Sequence, residues 1–185
     1  MHHYAMRAPE GQLLFHEWIE AHALWRMLTE RASFIALVLM PNHVHALVSD
    51  ESQELALQRA RRAYALWRNA RRGQSGAVWE HGDVPKVVDG RKYEQKTLRY
   101  TYLNPCEAGL VRDPLEWPFS SYRDALGLAM PAIQSPVRDA ENLHSRVTAA
   151  LSSRQKVSPL PRSAAPDLRP DLRRLLGAVC SLTRT

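Results

Sequence analysis

Apolar positions along this chain change period several times, and each change marks an expected element. A short strand is expected from His2 to Arg7, closed by the breakers Pro9 and Gly11. From Gln12 to Glu30 apolar residues recur at Leu14, Trp18, Ala21, Trp25 and Leu28, the stripe of an amphipathic helix. Phe34 to Met40 is apolar throughout and reads as a buried strand. Pro41-Asn42 is a bend, and His43 to Val48 alternates as an adjacent strand. Ser52 to Arg72 returns to the helical period, with Ala56, Ala60, Tyr64 and Trp67 on one stripe and arginines elsewhere, and Gly73 and Gly76 end it. A strand around Val84 to Val88 follows, then a turn at Asp89-Gly90 and a helix from Arg91 to Asn104. Pro105 is expected to stop that helix, because the residue before a proline avoids helical geometry.

The first six elements, strand-helix-strand-strand-helix-strand, follow the ferredoxin-like plan of the α+β class. An antiparallel sheet then carries helices on one face and leaves the other for a site and for the helix after the last strand. After Trp117-Pro118 prolines punctuate the chain, and Ser152 to Ala165 has the composition of a linker. A helix is expected from Ser135-Pro136 to about Leu151, and another from Pro170 to Leu182. Residues 1–127 are thus read as one domain and 128–185 as a Pro-rich linker with a helical tail.

Composition narrows the setting. The 185 residues, 45% of them apolar, suffice for one core. The net charge of +6 is almost wholly arginine, with lysine only at positions 86, 92, 96 and 156. Arginine suits phosphate, although a GC-rich genome would also write it for lysine. Cys106 and Cys180 fit neither a disulfide framework nor a zinc knuckle, and no apolar run could span a bilayer. A cytoplasmic protein is expected, with no membrane partner.

The candidate chemistry begins at Met40-Pro41-Asn42-His43-Val44-His45. In a strand alternate side chains share a face, so His43 and His45 point the same way and could form half of a metal site. Paired strand histidines also occur in hydrolases and cupins. Tyr100-Thr101-Tyr102-Leu103-Asn104-Pro105 supplies a second half. On a helix, residues four apart lie about 40° apart around the axis and residues two apart about 200°. Tyr100 therefore shares a face with Asn104, and Tyr102 does not. An ion on His43 and His45 could take the Asn104 amide oxygen as third ligand, with Tyr100 one turn away. Two nitrogens and a neutral oxygen leave open positions and suit Mg2+ or Mn2+. The chemistry this set serves is phosphoryl transfer to a tyrosine nucleophile.

Four ordered segments carry a resemblance: Met40 to His45, Ser75-Gly76-Ala77-Val78-Trp79-Glu80, Tyr100 to Val111, and Trp117-Pro118-Phe119-Ser120-Ser121-Tyr122. Over roughly residues 1 to 125 the chain resembles the REP-associated tyrosine transposases of the single-tyrosine HUH superfamily. The resemblance implies a ferredoxin-like enzyme that cleaves and rejoins single-stranded DNA near hairpins of repetitive extragenic palindromes. It implies a 5′-phosphotyrosine intermediate, catalysis by Tyr100, and metal ligation by His43, His45 and Asn104. Cys106 and Glu107 depart from the valine and arginine often found there, which bears on a phosphate contact. The segment Pro170 to Leu182 bears a faint likeness to the first helix of a DNA-binding extension in some relatives.

Candidate DNA contacts are Arg61, Arg62, Arg68 and Arg72 on the second helix, the reading preferred over a solvated charged face. Lys96, one turn before Tyr100, is a phosphate contact or a surface lysine. His2, His3, His16, His22 and His144 show no ligand spacing. A domesticated protein that binds hairpins without cutting is the main rival, and an unrelated hydrolase lacks further ligands at the right spacing. Monomer and homodimer are both open.

Overall fold

Four strands pair by backbone hydrogen bonds into one antiparallel sheet: β1 (His2–Arg7), β2 (Ala36–Met40), β3 (His43–Val48) and β4 (Lys86–Val87), in the order β2-β3-β1-β4. The computed structural model describes residues 1–82, 84–128 and 140–154. Helix α1 (Trp18–Thr29) joins β1 to β2, and α2 (Glu54–Arg72) lies between β3 and β4. This is the ferredoxin-like plan. Helix α3 (Arg91–Glu107) follows β4, and then come α4 (Tyr122–Ala125) and α5 (Ala140–Arg154).

Strand alternation sorts the two faces. Residues directly opposite in an antiparallel pair share a face. The register His3↔Leu47, Ala5↔His45 and Arg7↔His43 puts all six residues on one side. Tyr4, Met6, Val44, Ala46 and Val48 take the other, with Leu37 and Leu39 of β2. There they join the core of α1 and α2, where Leu24, Leu28, Leu57, Ala60 and Tyr64 are buried. Helix α3 covers the histidine face over β2 and β3, burying Tyr102 and Leu103. It leaves β1 on that face partly open, with Ala5 half-buried and Arg7 exposed.

The outer edge of β2 would be a template for foreign pairing if left bare. The segment Phe119 to Ser121 covers it. Leu39 N–H donates to the Phe119 carbonyl (2.9 Å), and Ser121 N–H donates to the Leu37 carbonyl (2.8 Å). Leu37 N–H donates to Ser121 Oγ (2.9 Å), and the Trp117 indole donates to the Leu39 carbonyl (2.8 Å).

Several boundaries differ from the expected ones for local reasons. Helix α1 starts at Trp18, not Gln12, because Glu17 and Glu20 form a reciprocal capping box. Leu14 and Phe15 are buried from the preceding loop instead. Residues Glu51–Gln53 make a single 3-10 turn, capped by Asp50, before α2 begins. The last strand shrinks from Val84–Val88 to Lys86–Val87; Pro85 offers no N–H for a ladder. Pro105 does not stop α3. The helix runs on to Glu107 and ends at Gly109, where φ is +68°. Leu110 N–H reaches the Pro105 carbonyl (2.9 Å) and Gly109 N–H the Cys106 carbonyl (3.0 Å), a Schellman pair. Proline in the last turns disturbs little beyond the one bond it cannot donate, and the ring is buried. Ser152 to Arg154 belong to α5 rather than to a linker. The expected start at Ser135-Pro136, the rest of the linker and the Pro170 to Leu182 helix lie outside the described residues. No helix among the described residues is long and apolar enough to cross a membrane.

Two ion pairs tie α2 to the start of α1, an outer one between Arg71 and the N-cap Glu17 (2.7 Å) and an inner one between Arg72 and Glu20. The Arg72 guanidinium donates both Nε and Nη2 to the Glu20 carboxylate, which also receives His16 N–H (2.8 Å) at the start of α1. Burial alone would push the Glu20 pKa up, but the Arg72 and His16 hydrogen bonds outweigh it and hold it below the usual value. Removing one partner of such a buried pair strands the other charge. Arg72→Ala is expected to lower folding stability by about 3 kcal/mol, read by urea denaturation; a loss within error of zero would show the pair to be idle.

Candidate functional site

The site grows out of the β2–β3 bend. The Pro41 carbonyl accepts from Leu14 N–H (2.7 Å), and the Asn42 carbonyl accepts from Ala8 N–H (2.9 Å), so the bend is tied to the loop after β1. Val44, fully buried on the α1–α2 side, fixes the facing of its neighbours. His43 and His45 thereby project together under α3. Their Nε2 atoms stand 3.0 Å apart and their rings are nearly perpendicular at 87°. His43 Nδ1 meets Asn42 Oδ1 at 2.7 Å.

Helix α3 brings the other two candidates. Asn104 is buried, and its Nδ2 donates to the Tyr100 carbonyl at 2.7 Å. With the amide nitrogen committed there, the amide oxygen is left to face the two histidines. Tyr100 is 42% exposed, and its ring meets that of His45 edge-on at 5.4 Å. Tyr102 has no exposure, packs against Tyr122 with the rings tilted at 43° and 4.9 Å apart, and donates to the Ile35 carbonyl at 3.4 Å. Of the two tyrosines, only Tyr100 lies beside the histidines and in reach of solvent.

Burial, then the charge of Arg7, pushes the His43 pKa down to about 4, against a rise from the Asn104 hydrogen bond. Burial, then the neighbouring His43 and His3, takes His45 to about 3. Both imidazoles are therefore neutral at neutral pH, the form that binds metal. Two neutral ring nitrogens 3.0 Å apart match the edge spanned by one ion with bonds of about 2.1 Å at about a right angle. With the Asn104 oxygen the three residues offer a mixed nitrogen and oxygen donor set that could hold a divalent ion. Among the described residues no three His, Cys, Asp or Glu gather for a metal.

The candidate DNA contacts fall differently. Helix α2 lies across the sheet from the histidines. Arg68 is buried and donates to the Leu13 carbonyl (2.9 Å), and Arg72 is spent on Glu20. Arg61 donates to the Glu80 carbonyl (3.2 Å) and stacks on Trp79. These three serve the fold, whereas Arg62 and, on α3, Lys96 are exposed. The cations on the histidine face are others: Arg7 opposite His43 and Lys86 opposite His3. Strand alternation in β1 would have placed Arg7 beside the site; β4 was too short to be aligned from sequence.

His3 was also missed. Its Nε2 lies 3.0 Å from His45 Nδ1, and the ring centroids lie 5.1 Å apart. Nothing in its spacing to His43 or His45 signals this, because the contact depends on the β1–β3 register. Cys106 offers no competing nucleophile, since burial and then the nearby carboxylates of Asp113, Glu116 and Glu107 push its thiol up to about 12.

No protein-family model matches the chain, and no curated protein matches it. Among solved structures it is similar to a REP-associated tyrosine transposase bound to a REP hairpin, at 20% identity and a TM-score of 0.52, over 69% of this chain and 81% of that one. The chain thus shares the fold of that structure, in keeping with the ferredoxin-like plan expected from the element order.

The lowered histidine pKa values set a pH dependence. An imidazole that titrates near 6.5 when unfolded and near 3 or 4 when folded leaves the unfolded state holding more protons between those values. Stability of the metal-free protein should fall as pH drops from about 6.5 to about 4. His45→Gln should flatten that slope, measured by denaturant midpoints at several pH values. An unchanged slope in the variant would contradict the assignment.

Proposed function

We propose that this chain is a metal-dependent single-strand DNA transposase or endonuclease, which cleaves and rejoins DNA near hairpins through a 5′-phosphotyrosine intermediate. The observation that carries the reading is the exposed Tyr100 standing against the half-buried His43, the buried His45 and the Asn104 oxygen, within a fold shared with a tyrosine transposase bound to a REP hairpin. A binding protein needs none of that arrangement. Desolvating two imidazoles and turning an amide oxygen onto them costs stability that binding alone would not recover.

In this mechanism the Tyr100 oxygen attacks the scissile phosphorus. The Oη–P bond forms as the P–O3′ bond breaks, the phenolic proton passes to solvent, and the departing 3′-oxygen takes a proton to become a hydroxyl. The 5′-phosphotyrosine keeps the ester's energy, and attack by a 3′-hydroxyl rejoins the strand. His43, His45 and Asn104 are the residues to hold Mg2+ or Mn2+. The chemistry such an ion supplies is polarisation of a phosphoryl oxygen. The edge-on contact with His45 holds the Tyr100 ring beside the pair, while its exposure leaves the hydroxyl accessible.

The partner is single-stranded DNA with hairpins in the cytoplasm, held in part by the Arg7 and Lys86 cations on the open strand β1 side. The positive charges that lower the histidine pKa values would attract the phosphate.

Incubation with labelled hairpin single strands and Mn2+ should give a denaturant-stable adduct that Tyr100→Phe abolishes and Tyr102→Phe retains. An adduct surviving Tyr100→Phe would overturn the assignment, and no adduct in any DNA would favour a protein that binds hairpins without cutting. Arg7→Ala should weaken single-strand binding and flatten its log-log salt slope by about 0.7; an unchanged slope would remove Arg7 from the DNA path.

A further inference from the structure

On the strength of the proposed metal site, we infer that His3 is a positioning residue that fixes the tautomer and ring orientation of His45. An imidazole presents its two nitrogens on different edges of the ring. His45 turns Nε2 toward His43 Nε2 and Nδ1 toward His3 Nε2, each at 3.0 Å. His3 is therefore behind the ligand ring, on the edge away from the pair, and does not share the ion.

Hydrogen bonding then dictates where the proton sits. A neutral imidazole carries one N–H and one lone pair. The role assigns His3 Nε2 as the acceptor in this 3.0 Å contact, which holds the His45 proton on Nδ1 and leaves the Nε2 lone pair for the ion. The same logic operates at His43, whose Nδ1 meets the Asn42 side-chain oxygen at 2.7 Å. Each ligand thus has one backing acceptor, Asn42 from the bend and His3 from the adjacent strand. Backing partners of this kind orient ligating histidines and raise their basicity.

The ring geometry adds orientation. The His3 and His45 rings lie 5.1 Å apart at 22°, so they are nearly coplanar and meet edge to edge along the hydrogen bond. Its opposite constraint is the Tyr100 ring at 5.4 Å. His3 reaches this position because β1 pairs with β3 in the register His3↔Leu47, which sets it diagonal to His45 on the same face.

Two readouts on the full chain test the role. In metal-free protein, nitrogen NMR of the imidazoles should show His45 protonated at Nδ1, and His3→Ala should abolish that preference. Calorimetric titration with Mn2+, at a temperature where both proteins are folded by circular dichroism, should show His3→Ala binding about 10- to 100-fold more weakly. His3→Gln, whose amide oxygen can reach the former Nε2 position, should restore most of the affinity. A His45 proton on Nε2 in the wild type, or an unaltered tautomer in His3→Ala, would overturn the role of His3. So would wild-type Mn2+ affinity in His3→Ala. A wild type that keeps the Nδ1 proton but binds no Mn2+ would instead sink the metal reading and leave the His3 contact standing.

Discussion

The register of β3 between β1 and β2 is the constraint on which the rest of this structure depends. Side chains in a strand have a period of two, so a slip by one residue would send His43 and His45 into the α1–α2 core and turn Val44 toward the site. Two features prevent it. The Pro41-Asn42 bend is tied by backbone bonds to the loop after β1, and the apolar set Val44, Ala46 and Val48 is fully buried on the far side. The same pairing brings Arg7 opposite His43 and His3 diagonal to His45.

From that register follows the electrostatic state of the site. Helix α3 roofs the histidines and removes them from water, and the cations on β1 and β4 oppose any proton they might take up. Neutral imidazoles next to cations would hold an added positive ion more tightly when something negative comes with it. A phosphodiester supplies that negative charge, which links the proposed substrate to the proposed metal through charge alone.

The edges of the sheet are treated unequally. On the β2 side the Phe119 to Ser121 segment satisfies the strand, and Trp117 seals it from the side. On the β1 side β4 pairs through two residues only. The open ground over β1 lies beside the histidine pair, so the part of the sheet with least cover is the part next to Tyr100. The cover on β2 also explains a motif that carries no chemistry of its own: Trp117 to Tyr122 holds the strand that holds α3.

What the sequence determined by itself was whatever local periodicity and spacing encode. The element order, the shared facing of His43 and His45 and the shared helix face of Tyr100 and Asn104 each depend on residues a few positions apart, and backbone geometry dictates them. Boundaries were legible only where no competing local bond intervened: the capping box at Glu17 and Glu20 shortened α1, and the Schellman end at Gly109 carried α3 past Pro105. Tertiary structure alone decided which cations face the histidines, that Arg68 and Arg72 are consumed within the fold, and that His3 lies behind His45. These are contacts between residues some forty or more positions apart, set by strand register and helix packing. No short-range pattern records them, because the energy that selects them comes from burying the whole core at once.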